Sequence, residues 1–261
     1  MDSRARASRY PYARAVKPFL LLATRAEDAA ADDEHAAVLR HGGLRPEQLV
    51  RVRLEAGPMP KIDLDDFSGV IVGGSPFNSS DDDDLKSPVQ HRVEAELHTL
   101  LDELLERDFP FLGACYGVGT LGRHEGAVID TTFSEPVGPT TIALTSEGKA
   151  DPLLAGLPER FAAFVGHKEA VAQLPEHAVL LATSADCPVQ MFRVRTNLYA
   201  TQFHPELDHE GLRLRVETYR SYGYFAPEEA AGILARAAGA ELATAHAILR
   251  RFVEQYAVTS R

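Results

Sequence analysis

Apolar runs of strand length alternate with polar or amphipathic stretches through the first half of the chain. Pro18-Phe19-Leu20-Leu21-Leu22-Ala23 is an unbroken apolar run between polar neighbours, the signature of a strand buried on both faces. A helix is expected over 32–41, capped by Asp32 or Asp33 and stopped by Gly42-Gly43. Gln48 to Leu54 alternates and reads as a second strand nearer the sheet edge. A third strand lies within Phe67 to Pro76 and ends in the pair Gly73-Gly74. Val93, Leu97, Leu100, Leu101, Leu104 and Leu105 then recur at helical spacing, which predicts a helix over 89–107 with one face on the sheet. Phe109-Pro110-Phe111-Leu112-Gly113-Ala114 is a fourth apolar strand, followed by a short helix over 116–124.

After Gly126 the pattern shifts to short strands, at 127–130, 140–144, 161–165, 179–182, 189–194 and 198–203. Turn signals at Pro136, Gly138, Gly148, Pro158, Pro175 and Pro188 separate them. A helix returns over 210–222, and 227–256 reads as two more, with Pro227-Glu228-Glu229 as a start signal. Ala245, Ile248, Leu249, Phe252 and Tyr256 share a face of the last helix, which is expected to pack on the same domain. Residues 1–16 lack apolar periodicity and read as a flexible leader; 17–225 forms the main domain and 226–261 a helical extension packed on it. Strand-helix alternation followed by strands predicts an α/β fold with a mixed sheet, parallel at its centre and antiparallel beyond.

Composition excludes several classes. Lys and Arg number 27 against 38 Asp and Glu, so no basic footprint for nucleic acid is present. No apolar stretch approaches the ~18 residues of a membrane span. Two cysteines without a secretory segment predict a reducing, cytoplasmic setting. The ten histidines show no zinc-ligand spacing, and neither metal nor cofactor is expected. Asp81 to Asp84 reads as a solvated loop, since calcium loops space their acids.

Candidate chemistry gathers at two strand ends. Cys115 would sit on a strand-to-helix turn flanked by Gly113 and Gly117, which permit a tight elbow and close approach to the sulfur. A helix N-terminus there would favour thiolate, drawing the thiol from its usual ~8.5 toward neutrality. A lone cysteine is as often a small buried hydrophobe, and Cys187 is read that way. Gly73-Gly74 could present backbone N–H groups to an oxyanion or could simply form a tight turn. In Gln202-Phe203-His204-Pro205-Glu206, residues two apart point the same way in extended chain, so Glu206 can orient the His204 imidazole toward Cys115. The aromatic stretch Tyr219 to Phe225 fits either core or an interface.

Three motifs in order, Val72-Gly73-Gly74-Ser75-Pro76, Gly113-Ala114-Cys115-Tyr116-Gly117 and Gln202-Phe203-His204-Pro205-Glu206, resemble the class I glutamine amidotransferases over about residues 17–225. They are similar in look to the amidotransferase half of guanylate synthetase and its stand-alone relatives. The resemblance implies a flavodoxin-like three-layer sandwich with a mostly parallel sheet. It implies Cys115 as nucleophile, His204 as general base and acid, Glu206 as orienter, and Gly74, beside Gly73, with Tyr116 as oxyanion donors. His167, in Phe164 to Glu169, occupies the place of a loop lining the glutamine pocket. The family commonly carries glutamine four residues after the nucleophile. Here that position is Gly119, which could leave room for a larger γ-glutamyl group. Glutamine hydrolysis feeding ammonia to a synthetase in trans is therefore expected. The alternatives are a γ-glutamyl peptide or conjugate hydrolase and a non-catalytic module; a homodimer is compatible with each.

Overall fold

The computed structural model describes residues 16–259, so nearly all of the expected leader lies outside the described residues. At its boundary Val16 bridges Thr259, and the Lys17 N–H donates to the Val258 carbonyl at 2.8 Å.

Nine strands form one sheet, in the order β2 (Leu49–Arg53), β1 (Phe19–Ala23), β3 (Gly69–Val72), β4 (Phe111–Ala114), β11 (Leu198–Thr201), β10 (Met191–Val194), β9 (Val179–Thr183), β6 (Glu135–Leu144), β7 (Arg160–His167). From β2 to β11 neighbours run parallel; from β11 to β7 they run antiparallel. β5 (Val128–Asp130) and β8 (Ala170–Gln173) pair separately.

The unbroken apolar strands are buried on both faces, and their two-residue period sorts them. Phe19, Leu21, Ile71, Leu112 and Tyr199 enter one core with Val38 of α1 (Asp28–Gly42) and Ala245, Ile248, Leu249 and Phe252 of α7 (Ala243–Tyr256). Leu20, Leu22, Val70, Val72, Phe111 and Leu198 face the other way, against the leucine stripe of α2 (Pro88–Glu106) and Val118 and Leu121 of α3 (Tyr116–His124). Helices therefore cover both faces, giving a three-layer α/β sandwich. Each fully buried Leu or Phe contributes ~1.5–3 kcal/mol relative to exposure. A third cluster joins α5 (His209–Thr218) and α6 (Ala230–Ala237) to Phe164 of β7.

Several boundaries differ from expectation. α1 starts at Asp28, earlier than expected, because Ala29, Ala30 and Ala31 extend it; Asp32 and Asp33 lie inside it and cap nothing. Its stop is as expected, with Gly43 at φ 70°. Pro136 and Gly138 fall within β6 rather than in a turn. β9 pairs only with Ala143 and Leu144 of β6, so the prolines disrupt no second ladder. α4 (Ser146–Ala150) and β8 were not anticipated, both being too short to establish a period.

Candidate active site

In open α/β sheets ligands gather outside the carboxyl ends of parallel strands. β3, β4 and β11 are adjacent there, and their continuations are Gly73-Gly74-Ser75, Cys115 and Gln202-Phe203-His204. The sheet order thus brings the three sequence motifs together.

Cys115 adopts φ 53°, ψ −86°, a conformation that strains any residue with a Cβ. Its N–H donates to the Thr201 carbonyl at 2.7 Å, and its own carbonyl accepts from Val118 N–H at 2.9 Å, so β11 and α3 together pin the turn. Gly113 is required by proximity: a Cβ there would stand 2.7 Å from Gly117 Cα, where β4 and α3 cross backbone to backbone. The sulfur opens on two clefts.

His204 leaves β11 with its N–H on the Phe164 carbonyl at 3.0 Å. Its Nδ1 lies 2.8 Å from Glu206 Oε1, so the two residues that share a side of the extended chain do meet. Arg215 on α5 donates from Nη2 to the same Glu206 oxygen at 2.9 Å, and its Nη1 stands 3.1 Å from Nδ1. Ionised Glu206 only accepts, so Nδ1 carries the proton donated to it; Arg215 Nη1, itself a donor, makes no hydrogen bond to that protonated nitrogen, and Nε2 is left free to accept a proton. Glu34 of α1, 0% exposed, lies 3.6 Å from Arg215 and takes Arg25 Nε at 3.0 Å. Arg25 Nη1 reaches the Tyr219 hydroxyl at 3.1 Å. A buried chain of two carboxylates and two guanidiniums therefore backs the imidazole.

Gly73 and Gly74 are held by this chain. A Cβ on Gly73 would meet Glu34 Oε2 at 2.4 Å, and one on Gly74 would meet Arg25 Nη2 at 2.5 Å and the His204 ring at 2.7 Å. Their N–H groups do not point as expected: Gly73 donates to the Leu22 carbonyl at 3.1 Å, and Gly74 to Glu34 Oε1 at 3.1 Å. Among the described residues the N–H groups of Ser75 and Tyr116 have no partner, and both residues line the cleft that holds Gly119.

That second cleft also contains Glu169 and Gln202. Gly119 leaves no vacancy in it, contrary to expectation. A Cβ there would stand 2.4 Å from Ser79 Oγ and 2.8 Å from Glu169 Oε1. Glu169 is fixed by Ser79 N–H at 2.9 Å, Ser79 Oγ at 3.0 Å and Ser80 N–H at 2.6 Å. Gln202 is 2% exposed, and its Oε1 has no partner among the described residues. His167 lies at the wall, but its Nδ1 is on the Glu169 carbonyl and its Nε2 on Glu135, each at 2.9 Å. It holds the Glu169 loop and offers no nitrogen to a ligand.

The electrostatics reverse one expectation. Burial, reinforced by Glu169 and Glu206, outweighs the Arg25 and Arg215 cations and pushes the Cys115 thiol up to about 12. Burial, aided by Arg215, also lowers His204 against the pull of Glu206. Burial alone would raise Glu206, but His204 and Arg215 hold it well below the usual carboxylate range. The resting pair is thus neutral thiol and neutral imidazole, with an ionised orienter.

Two clusters bring ligand-type atoms within 4.8 Å: His98, Asp102 and His124 on the surface, and buried Glu135, His167 and Cys187. The sequence spacing hid both. Hydrogen bonding already occupies one imidazole in each, His124 by Asp102 at 3.0 Å and Glu125 at 2.9 Å, and His167 by Glu169 and Glu135. Of the other residues missed, Glu34 and Arg215 had a signal: each interrupts an otherwise buried stripe, Ala30, Ala37 and Val38 around the first, Leu212 and Val216 around the second. No helix among the described residues is long and apolar enough to cross a membrane.

Comparison with known proteins agrees with this fold. Residues 37–216 match the family model of glutamine amidotransferase class-I. The chain is 28% identical over 181 residues to a glutamine-hydrolyzing GMP synthase subunit of Thermoplasma acidophilum, covering 66% of this chain and 84% of that protein. It is 34% identical over 109 residues to the glutamine-hydrolyzing GMP synthase of Bacillus cereus, covering 41% of this chain and only 21% of that longer protein. A glutamine amidotransferase structure from Thermotoga maritima superposes with TM-score 0.73 at 20% identity, over 92% of this chain and 98% of that one. One from Methylobacillus flagellatus gives 0.70 at 18%, over 95% and 98%; at these identities the match shows the shared fold. With the family model spanning most of the sandwich and all three motifs at adjoining strand ends, the chain belongs to the class I glutamine amidotransferase family.

Proposed function

We propose that this chain hydrolyses the side-chain amide of glutamine through a cysteinyl thioester, releasing glutamate and ammonia. The observation that carries the reading is the strained Cys115 elbow beside a His204 whose Nδ1 is committed to Glu206. His204 Nε2 takes the thiol proton as sulfur attacks the amide carbon, so no standing thiolate is needed, in keeping with the raised thiol. The tetrahedral oxyanion is received by the Ser75 and Tyr116 N–H groups, one residue later in the first motif than the sequence suggested. His204 then protonates the departing ammonia, the C–N bond breaks, and water, deprotonated by His204, releases glutamate from the sulfur. Glu169 and Gln202 Oε1 supply acceptors for the substrate ammonium group in place of the family's glutamine.

The Thermoplasma relative is named as one subunit of a synthase, which supports a separate synthetase chain as the ammonia acceptor. The test is glutamate and ammonia release from glutamine by the wild-type chain and by Cys115→Ala. Turnover confined to wild type is expected. Equal turnover by Cys115→Ala, or none by wild type with or without a synthetase chain, would overturn the reading.

A further inference from the structure

Two clefts meet at Cys115 and share Ser75, Gly166 and Tyr224 in their lining. The smaller one holds Tyr116, Gly119, Glu169 and Gln202 and lacks His204; the larger is lined by His204. The leaving nitrogen must take its proton from His204, so whatever that nitrogen carries lies in the larger cleft. Ammonia carries nothing and needs no such space. The walls there are mostly apolar, with Val137, Leu212, Val216 and Phe225, and carry two cations, Arg25 and Arg215, of which Arg215 is already turned to Glu206 and His204. Arg25 is 5% exposed; Glu34 holds its Nε and Tyr219 its Nη1, while Nη2 has no hydrogen bond among the described residues. Tyr224 borders both clefts, so the aromatic stretch after α5 roofs the junction.

We infer that the larger cleft is a leaving-group subsite, and that the site accepts γ-glutamyl dipeptides whose second residue is apolar. The side chain of that residue packs against Val137, Leu212 and Val216, and its carboxylate pairs with Arg25 Nη2. The reaction balances without a co-reactant. The Cys115 S–C bond forms as the amide C–N bond breaks, and His204 returns the thiol proton to the departing amino nitrogen. Water then adds to the acyl carbon as the S–C bond breaks, giving glutamate, the free amino acid and the restored thiol. This inference rests on the acyl-transfer reading of Cys115 and extends it to a substrate class.

Binding to Cys115→Ala, measured by calorimetry, tests the subsite without requiring turnover. Four ligands separate its features: glutamine, γ-glutamylglycine, γ-glutamylleucine and γ-glutamyl isoamylamide, the last keeping the apolar chain but lacking the carboxylate. γ-Glutamylleucine is expected to bind roughly tenfold or more tighter than each of the other three. Wild-type kcat/KM should rank it first by a similar factor. Equal affinities, or exclusion of the dipeptides while glutamine binds, would overturn the inference and reduce the cleft to a passage for ammonia. If glutamine is turned over in a Cys115-dependent manner while the dipeptides show no advantage, only this inference falls. If the dipeptide binds preferentially and glutamine is never hydrolysed, the subsite stands and the glutaminase reading falls.

Discussion

Replacing Cys115 by glycine should stabilise the protein while abolishing its chemistry. At φ 53°, ψ −86° the residue occupies a region that costs ~1–3 kcal/mol for any side chain with a Cβ. Alanine removes the thiol and keeps that strain; glycine removes both. Against the relief stands the greater chain entropy glycine loses on folding, ~0.5–1 kcal/mol. The difference between Cys115→Gly and Cys115→Ala should therefore fall between about 0 and 2.5 kcal/mol, centred on ~1 kcal/mol, in favour of glycine. For a domain of this size ~1 kcal/mol is roughly 2–4 °C in Tm. Differential scanning calorimetry of the two variants reads it directly, because both lack the sulfur and any effect of losing it cancels. Neither should release ammonia from glutamine. A glycine variant that melts below the alanine variant would refute the claim that the elbow stores strain.

Further expectations follow from neighbouring groups. Alkylation of Cys115 by iodoacetamide, corrected with Cys115→Ala for Cys187, should accelerate about tenfold per pH unit from pH 7 to 10 without levelling, because burial pushes the thiol up to about 12; a plateau near neutrality would reveal a preformed thiolate. Gly119→Ala should raise the KM for glutamine roughly tenfold with a smaller change in kcat, since its Cβ would dislodge Ser79 and Glu169; an unchanged KM would remove Glu169 from substrate binding. Asp208 caps α5 through the Gly211 N–H at 2.9 Å and pairs with Arg40 and His41; although burial opposes it, these contacts hold its carboxyl down to about 2. Asparagine caps a helix equally well, so in urea unfolding Asp208→Asn should lose only the charge term, about 1 kcal/mol after solvent screening. Because the folded value lies below the unfolded one, that deficit should be full above pH ~4 and vanish as pH falls toward 2; a pH-independent difference would contradict the assignment.

What the sequence revealed about the site was whatever a single strand and its exit encode. Phe109 to Gly117 shows a strand, a break and a helix start in one window, so the elbow could be read from it. His204 and Glu206 share a side through the two-residue period alone. Arg25, Glu34 and Arg215 reach the imidazole from three other elements, and no local spacing joins them. The direction of the Cys115 shift was misjudged for the same reason. The helix terminus that favours thiolate is visible in sequence, whereas the burial that outweighs it arises only when β3, β11 and the stretch after α5 close around the sulfur. The Gly74 N–H that the sequence offered to an oxyanion is claimed at 3.1 Å by Glu34, which is distant in sequence.

The Cys115 turn is pinned by the Thr201 carbonyl at 2.7 Å, on a strand that follows the thiol by a third of the chain. During synthesis β4 emerges long before β11, and domains fold as their parts become available. Until β11 docks beside β4, only the Val118 N–H of α3 holds the unfavourable dihedrals, and the Thr201 carbonyl is missing from the Cys115 N–H. The nascent turn is therefore half pinned, and His204 reaches it only with the end of β11. Competence arrives in one late step, when a single parallel strand slots between β4 and β10 and sets the elbow, the imidazole and the sheet register together.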